Sequence, residues 1–152
     1  MAVLAINKKA DFDYEFLEKF EAGIVLTGQE VKSIRAGQAS LAGSFVVLNR
    51  KGEAFLTNAQ IPPFKFAGPL PSYDPRRSRK LLLRQKELNY LIGKLKQSGL
   101  TLIPISLYTK NSKIKLEFAL ARGKRKSDKR RVIKEREVKK DIDRALKQKF
   151  RG

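Results

Sequence analysis

Two stretches of alternating apolar residues, Leu102 to Tyr108 and Ile114 to Leu120, flank Lys110, Asn111 and Ser112. In the second, Ile114, Leu116, Phe118 and Leu120 interleave with Lys115, Glu117 and Ala119. In the first, Ile103, Ile105 and Leu107 recur at every other position. A period of two is the pattern of a strand with one buried face, and the residues between the runs have turn chemistry. Leu100 to Ala121 is therefore predicted to be a β-hairpin, which points the chain toward a mainly β fold. Pro104 lies inside the first run and lacks a backbone donor, so an edge position or a bulge is expected there.

The rest of the body follows suit. Tyr14 to Thr27 is rich in Phe, Ile and Val and fits a long strand bent at Ala22 and Gly23, with a helix as the competing reading. Gly28 to Arg35 places Val31 and Ile34 on one side and runs into Ala36 and Gly37, a short helix with a glycine stop. Phe45 to Leu48 and Glu53 to Thr57 flank Asn49 to Gly52, a second hairpin. Five of the six prolines fall between Pro62 and Pro75, which makes that stretch an irregular loop. Leu88, Leu91, Ile92 and Leu95 recur at i, i+3, i+4 and i+7, an amphipathic helix closed by Gly99. About six short strands with two flanking helices suit a small closed or nearly closed barrel. An oligonucleotide-binding (OB) type barrel is the simplest such architecture with a polyanion partner; spacing alone does not separate it from other small barrels.

Charge is what suggests that partner. In 152 residues, 34 Lys and Arg oppose 15 Asp and Glu, a formal net charge of +19. The excess is unevenly spread. Residues 1–121 carry nineteen basic and ten acidic side chains, whereas residues 122–152 carry fifteen and five, a net of +10 in a fifth of the length. The expected organisation is a domain over residues 1–121 and a basic C-terminal tail over 122–152. The tail's few apolar residues cannot form a core, so it is expected to be disordered when free. From Ile133 onward they recur mostly every three to five residues, so a helix there would carry a narrow apolar stripe, and folding on nucleic acid is expected. No apolar run approaches the roughly 20 residues that span a bilayer, and Met1 to Ile6 is too short for a signal peptide. A cytoplasmic protein without a membrane partner is expected.

The chain has no Cys and no His, which removes thiol nucleophiles, imidazole bases and nearly every structural zinc site. Asp11, Asp13, Glu21 and Glu30 are scattered carboxylates without a catalytic constellation. Asp11 and Asp13 could share one face of a strand and hold a divalent ion, although two solvated acids are the plainer reading. A metal-dependent RNA-processing enzyme on a basic barrel is thus the alternative to a binding protein. Arg76, Arg77, Arg79 and Lys80 place four cations in five residues, which repel one another and gain nothing without an anion. They are candidate RNA contacts. Tyr73 and Tyr90 are candidates for stacking on a base, with packing in the core or an interface as the other possibility.

Several strings are more specific. Glu21-Ala-Gly-Ile-Val-Leu-Thr-Gly28 and Glu30-Val-Lys-Ser-Ile-Arg-Ala-Gly37 resemble the opening of the SmpB family of SsrA-binding proteins. Asp74-Pro-Arg-Arg-Ser-Arg-Lys-Leu-Leu-Leu83 resembles that family's central loop. Gly123-Lys-Arg-Lys-Ser-Asp-Lys-Arg130 and Ile133-Lys-Glu-Arg-Glu137 resemble the start of its tail. The resemblance covers essentially the whole chain. It implies an OB-like barrel with flanking helices and a non-enzymatic adaptor that binds transfer-messenger RNA (tmRNA, SsrA RNA) and delivers it to stalled ribosomes for trans-translation. It also implies that the barrel holds the tRNA-like domain in place of an anticodon arm, and that the tail becomes helical in the empty mRNA channel. Elongation factor bound to alanylated tmRNA is a further implied partner. A monomer without cofactors is expected.

Carried over by position, the resemblance assigns RNA contact to Glu21, Leu82, Arg84 and Lys115. Arg84 stands where the family more often has Asn or His and keeps a donor there. Lys115 points away from the apolar face of its strand, as a phosphate contact must. Glu21 would orient a neighbouring cation or accept from a base or ribose hydroxyl. In the tail, Asp128, Lys129, Arg130, Lys134 and Arg136 are assigned to the decoding centre, with Ile133 and Leu146 on the apolar stripe.

Overall fold

The computed structural model describes residues 1–66, 68 and 71–124. The predicted hairpin forms as β6 (Leu100–Lys110) and β7 (Lys113–Gly123), joined by Asn111 and Ser112 at φ of 52° and 64°. Positive φ at both central residues matches the turn to the right-handed strand twist. Pro104 lies on an inner strand, not at an edge. The register slips between Pro104 and Ser106, and Asn7 caps the irregularity: its backbone N–H donates to the Ile105 carbonyl at 2.8 Å and its side-chain amide to Pro104 O at 2.9 Å.

Before this hairpin come β1 (Val3–Ile6), α1 (Ala10–Asp13), β2 (Tyr14–Ile24), α2 (Gly28–Arg35), β3 (Phe45–Leu48), β4 (Ala54–Thr57), β5 (Arg79–Leu82) and α3 (Gln85–Leu95). The long strand predicted from Tyr14 is β2. Its register irregularity falls between Phe16 and Glu18, whereas Ala22 and Gly23 keep register with β7. The antiparallel pairings β6–β3, β3–β4, β4–β5, β5–β2, β2–β7 and β7–β6 close a ring of six strands, and β1 adds to β6. This ring is the expected OB-like arrangement. β1 and α1, four residues each, are additions to the predicted six strands and two helices.

Inside the ring, Leu56, Leu102, Leu107, Leu116, Phe118 and Leu120 are buried, together with Ile34 from α2 and Leu91 from α3. Each contributes about 1.5–3 kcal/mol of burial. α2 starts at a capping box: Glu30 N–H donates to Thr27 Oγ1 at 3.2 Å and Thr27 N–H to Glu30 Oε1 at 3.0 Å. Gly37, at φ of 76°, follows the helix in the left-handed conformation expected of a stop.

Two expectations need correction. Asp11 and Asp13 lie on α1, where residues two apart point about 200° from each other and share no face. The body does not end at Ala121 either, because β7 continues to Gly123. Arg122 pairs with Glu15 at 3.0 Å, and Lys124 N–H donates to the Asp13 carbonyl at 2.9 Å. The tail assignments Asp128, Lys129, Arg130, Ile133, Lys134, Arg136 and Leu146 lie outside the described residues. Among the described residues no helix is long and apolar enough to cross a membrane.

Candidate nucleic-acid interface

Where β2 runs between β5 and β7, Gly23 is in register with Leu82 on one side and Lys115 on the other. These three distant residues therefore form one row across the sheet. A Cβ on Gly23 would lie 3.3 Å from Leu82 Cβ and 3.7 Å from Lys115 Nζ. The glycine leaves a shallow floor into which both neighbours lean. Leu82 is 56% exposed, an apolar side chain held on the surface by a strand whose alternate residues, Arg79 and Leu81, point inward.

The row sits in a cleft of about 980 Å³ that is also lined by Glu21, Lys51, Glu53, Lys80, Arg84, Lys86 and Glu87. Its carboxylates are engaged by protein groups. Glu53 pairs with Lys80 at 3.2 Å, and Glu87 accepts from the Arg84 backbone N–H at 3.4 Å at the start of α3. Glu21 accepts from the Tyr108 hydroxyl and from Lys110 Nζ, the latter at 3.2 Å. The Tyr108 hydrogen bond, then Lys110, hold the Glu21 carboxyl below its ordinary value. Burial and the adjoining carboxylate push Tyr108 up, so it stays a donor. Glu21 thus pairs with a neighbouring cation, Lys110. Among the described residues, Lys51, Arg84, Lys86 and Lys115 make no ion pair within 4.0 Å. The cleft is left with cations available to a polyanion.

The basic string on the central loop divides. Arg76 and Lys80 are exposed. Arg79 is 0% exposed and is a structural cation, not a surface contact. Its Nε donates to Glu30 Oε2 at 2.8 Å, Nη1 to Ala59 O at 2.8 Å, and Nη2 to Pro75 O at 2.9 Å. Arg77 is also committed, with Nε donating to Glu30 Oε2 at 3.1 Å and Nη2 to Oε1. Burial pushes the Glu30 carboxyl up, but hydrogen bonds from Arg77, the Thr27 backbone and Arg79 prevail and hold it at about 2. This network ties α2 to the start of β5 and so fixes where Leu82 emerges. Both tyrosine hydroxyls are committed to protein partners. Tyr73 donates to Ile61 O at 2.7 Å and accepts from Arg79, while Tyr90 packs on Phe20 and donates to Glu18.

Residue spacing alone did not single out Gly23, Tyr108 or the buried pairing of Glu30. The one local sign of the last was Thr27 three residues before Glu30, the capping-box spacing. Among the described residues no group of three or more carboxylates is arranged to hold a metal ion.

The family model for SmpB protein matches residues 4–148. The SsrA-binding protein of Sulfurihydrogenibium sp. (strain YO3AOP1) is 51% identical over 149 residues, covering 98% of this chain and 97% of the relative. That of Thermosynechococcus vestitus is 49% identical over 146 residues, covering 96% and 95%. A chain from the solved structure described as "tmRNA-SmpB: a journey to the center of the bacterial ribosome" superposes with a TM-score of 0.68 at 45% identity, covering 88% of this chain and 95% of that one.

Proposed function

The chain belongs to the SmpB protein family, and from that premise we propose how it works as a tmRNA-binding adaptor at the ribosome. It is a binding protein rather than an enzyme, and family membership overturns the alternative of a metal-dependent RNA-processing enzyme. Trans-translation needs no bond made or broken by this chain. It needs a surface that holds one folded RNA and a second element that reports an empty ribosomal channel.

The row Leu82, Gly23, Lys115 carries the first half of the proposal. An apolar side chain beside an unpaired ammonium, over a floor without a Cβ, allows close approach of a sugar-phosphate backbone and an exposed base. Lys115 contacts a phosphate, Leu82 packs on a base or ribose, and Arg84, Lys51 and Lys86 supply further charge. Glu21 positions Lys110 at the edge of the same cleft. The bound partner is the tRNA-like domain of tmRNA, with the body standing in for an anticodon arm.

The second half rests on charge. Residues 122–152 carry fifteen basic and five acidic side chains, a composition suited to ribosomal RNA and to the vacant mRNA channel. Elongation factor with alanylated tmRNA is the delivering complex. The test is titration of labelled tmRNA in magnesium, followed by a reconstituted tagging reaction on stalled ribosomes. Lys115→Ala is expected to weaken binding by about 1–3 kcal/mol, the value of a charged hydrogen bond, and to lower the salt dependence. An unchanged curve at two salt concentrations, or cleavage of the RNA, would overturn the reading.

A further inference from the structure

The proline-rich loop presents an aromatic pair that the cleft does not use. Among the described residues, Met1 aside, Phe66 is the most exposed large apolar side chain, at 79%. Phe64 meets it edge to face, with ring centroids 5.5 Å apart. Lys32 Nζ lies 5.9 Å from the Phe64 centroid and Lys65 Nζ 5.6 Å from that of Phe66. The base of the loop is anchored: Ser33 Oγ donates to Pro62 O at 2.6 Å, and Ile61 N–H to Pro75 O at 2.9 Å.

This pair is continuous with the proposed RNA surface. Lys32 belongs to α2, and Arg35 is one turn further along the same helix. Arg35 and Val31 line a groove of about 330 Å³ that also touches Gly23, Leu82 and Lys115. A path of cations therefore leads from the cleft over α2 to the two rings. The chemistry selects the occupant. Interfaces between proteins deplete charge at their apolar centre, whereas exposed rings interleaved with cations are the composition of single-stranded nucleic-acid platforms.

We propose that Phe64 and Phe66 are a stacking platform for an unpaired base of the same tmRNA that fills the cleft, with Lys32 and Lys65 on the adjoining phosphates. The inference rests on the tmRNA reading above, and its test separates the two. Full-length F64A/F66A and K115A proteins are titrated with labelled tmRNA and, in a second arm, with ribosomes. F64A/F66A is expected to lose about tenfold to a hundredfold in tmRNA affinity, the range for one or two lost base stacks, with an unchanged thermal melt. The chain has no Trp, so F66W adds a single reporter whose emission is expected to be quenched as tmRNA binds. Loss of affinity in K115A with no change in F64A/F66A would overturn the platform and leave the tmRNA reading standing. Failure of the wild-type protein to bind tmRNA would overturn both. Normal tmRNA binding by F64A/F66A with weakened ribosome binding would assign the rings to another RNA and overturn the proposal. So would unquenched F66W at saturating tmRNA.

Discussion

Gly23 and Leu82 face each other across β2 and β5 so closely that a Cβ on the glycine would come within 3.3 Å of Leu82 Cβ. On the other side Lys115 Nζ would lie 3.7 Å from the same atom. A branched side chain at position 23 displaces both neighbours while leaving the backbone pairing possible, because β-branched residues suit strands. Gly23→Val is therefore expected to cost tmRNA affinity more than stability: about tenfold or more in binding, equivalent to at least ~1.4 kcal/mol. Parallel RNA titration and thermal melts check this. A loss of stability matching the loss of binding would reduce the glycine to a packing requirement.

The same row shows what could be read ahead of the structure. Period two exposed Lys115 opposite its apolar face, and the β6–β7 hairpin, α2, α3 and the β3–β4 hairpin were all legible from local pattern. Gly23 was not, because its significance depends on two strands that local spacing cannot place beside it. Arg79 was misread for a related reason. Four cations in five residues look solvated until a partner is known, and Glu30 lies far away in the chain, in the first turn of α2. β1 and α1 are each a single short segment of four residues, too short to show a period.

The Glu30 network makes a prediction about acid. Its carboxyl is held at about 2 against an ordinary value of 4.5. A group depressed in the folded state contributes stability above its unfolded value and loses it as pH falls toward the folded one. The contribution, on the order of 3 kcal/mol by linkage, is present above about pH 4.5 and fades between there and about pH 2. Denaturant melts of the wild type across that window are expected to show the slope, and Glu30→Gln to flatten it. Glu30→Gln also leaves Arg79 buried beside an uncharged partner, so it is expected to be less stable at pH 7 by about 3–5 kcal/mol.

Tyr108 offers a test of how the cleft's acidic edge is held. Its hydroxyl is the leading cause of the lowered Glu21 carboxyl, ahead of Lys110. Tyr108→Phe is expected to raise that carboxyl toward its ordinary range and to loosen Lys110, which now pairs with Glu21 at 3.2 Å. Side-chain carboxyl resonances followed through an acid titration report the shift directly. An unmoved Glu21 titration would show that Lys110 alone holds the carboxylate.

Division of labour between body and tail is best tested at a boundary set by hydrogen bonds. β7 extends to Gly123, Arg122 is paired with Glu15, and Lys124 N–H closes on the Asp13 carbonyl while its Nζ reaches Asp11 O at 2.7 Å. A stop at Ala121 would strip pairing from β2 and could weaken RNA binding for structural reasons. Truncation after Lys124 keeps every one of these bonds and removes only residues 125–152. If the cleft holds the RNA and the tail serves the ribosome, this variant is expected to bind tmRNA within about tenfold of the full chain, the remaining loss being long-range charge. Peptide tagging on stalled ribosomes is expected to be abolished. Equal loss of binding and tagging would mean that the tail itself grips tmRNA, and the two positive surfaces would then be one.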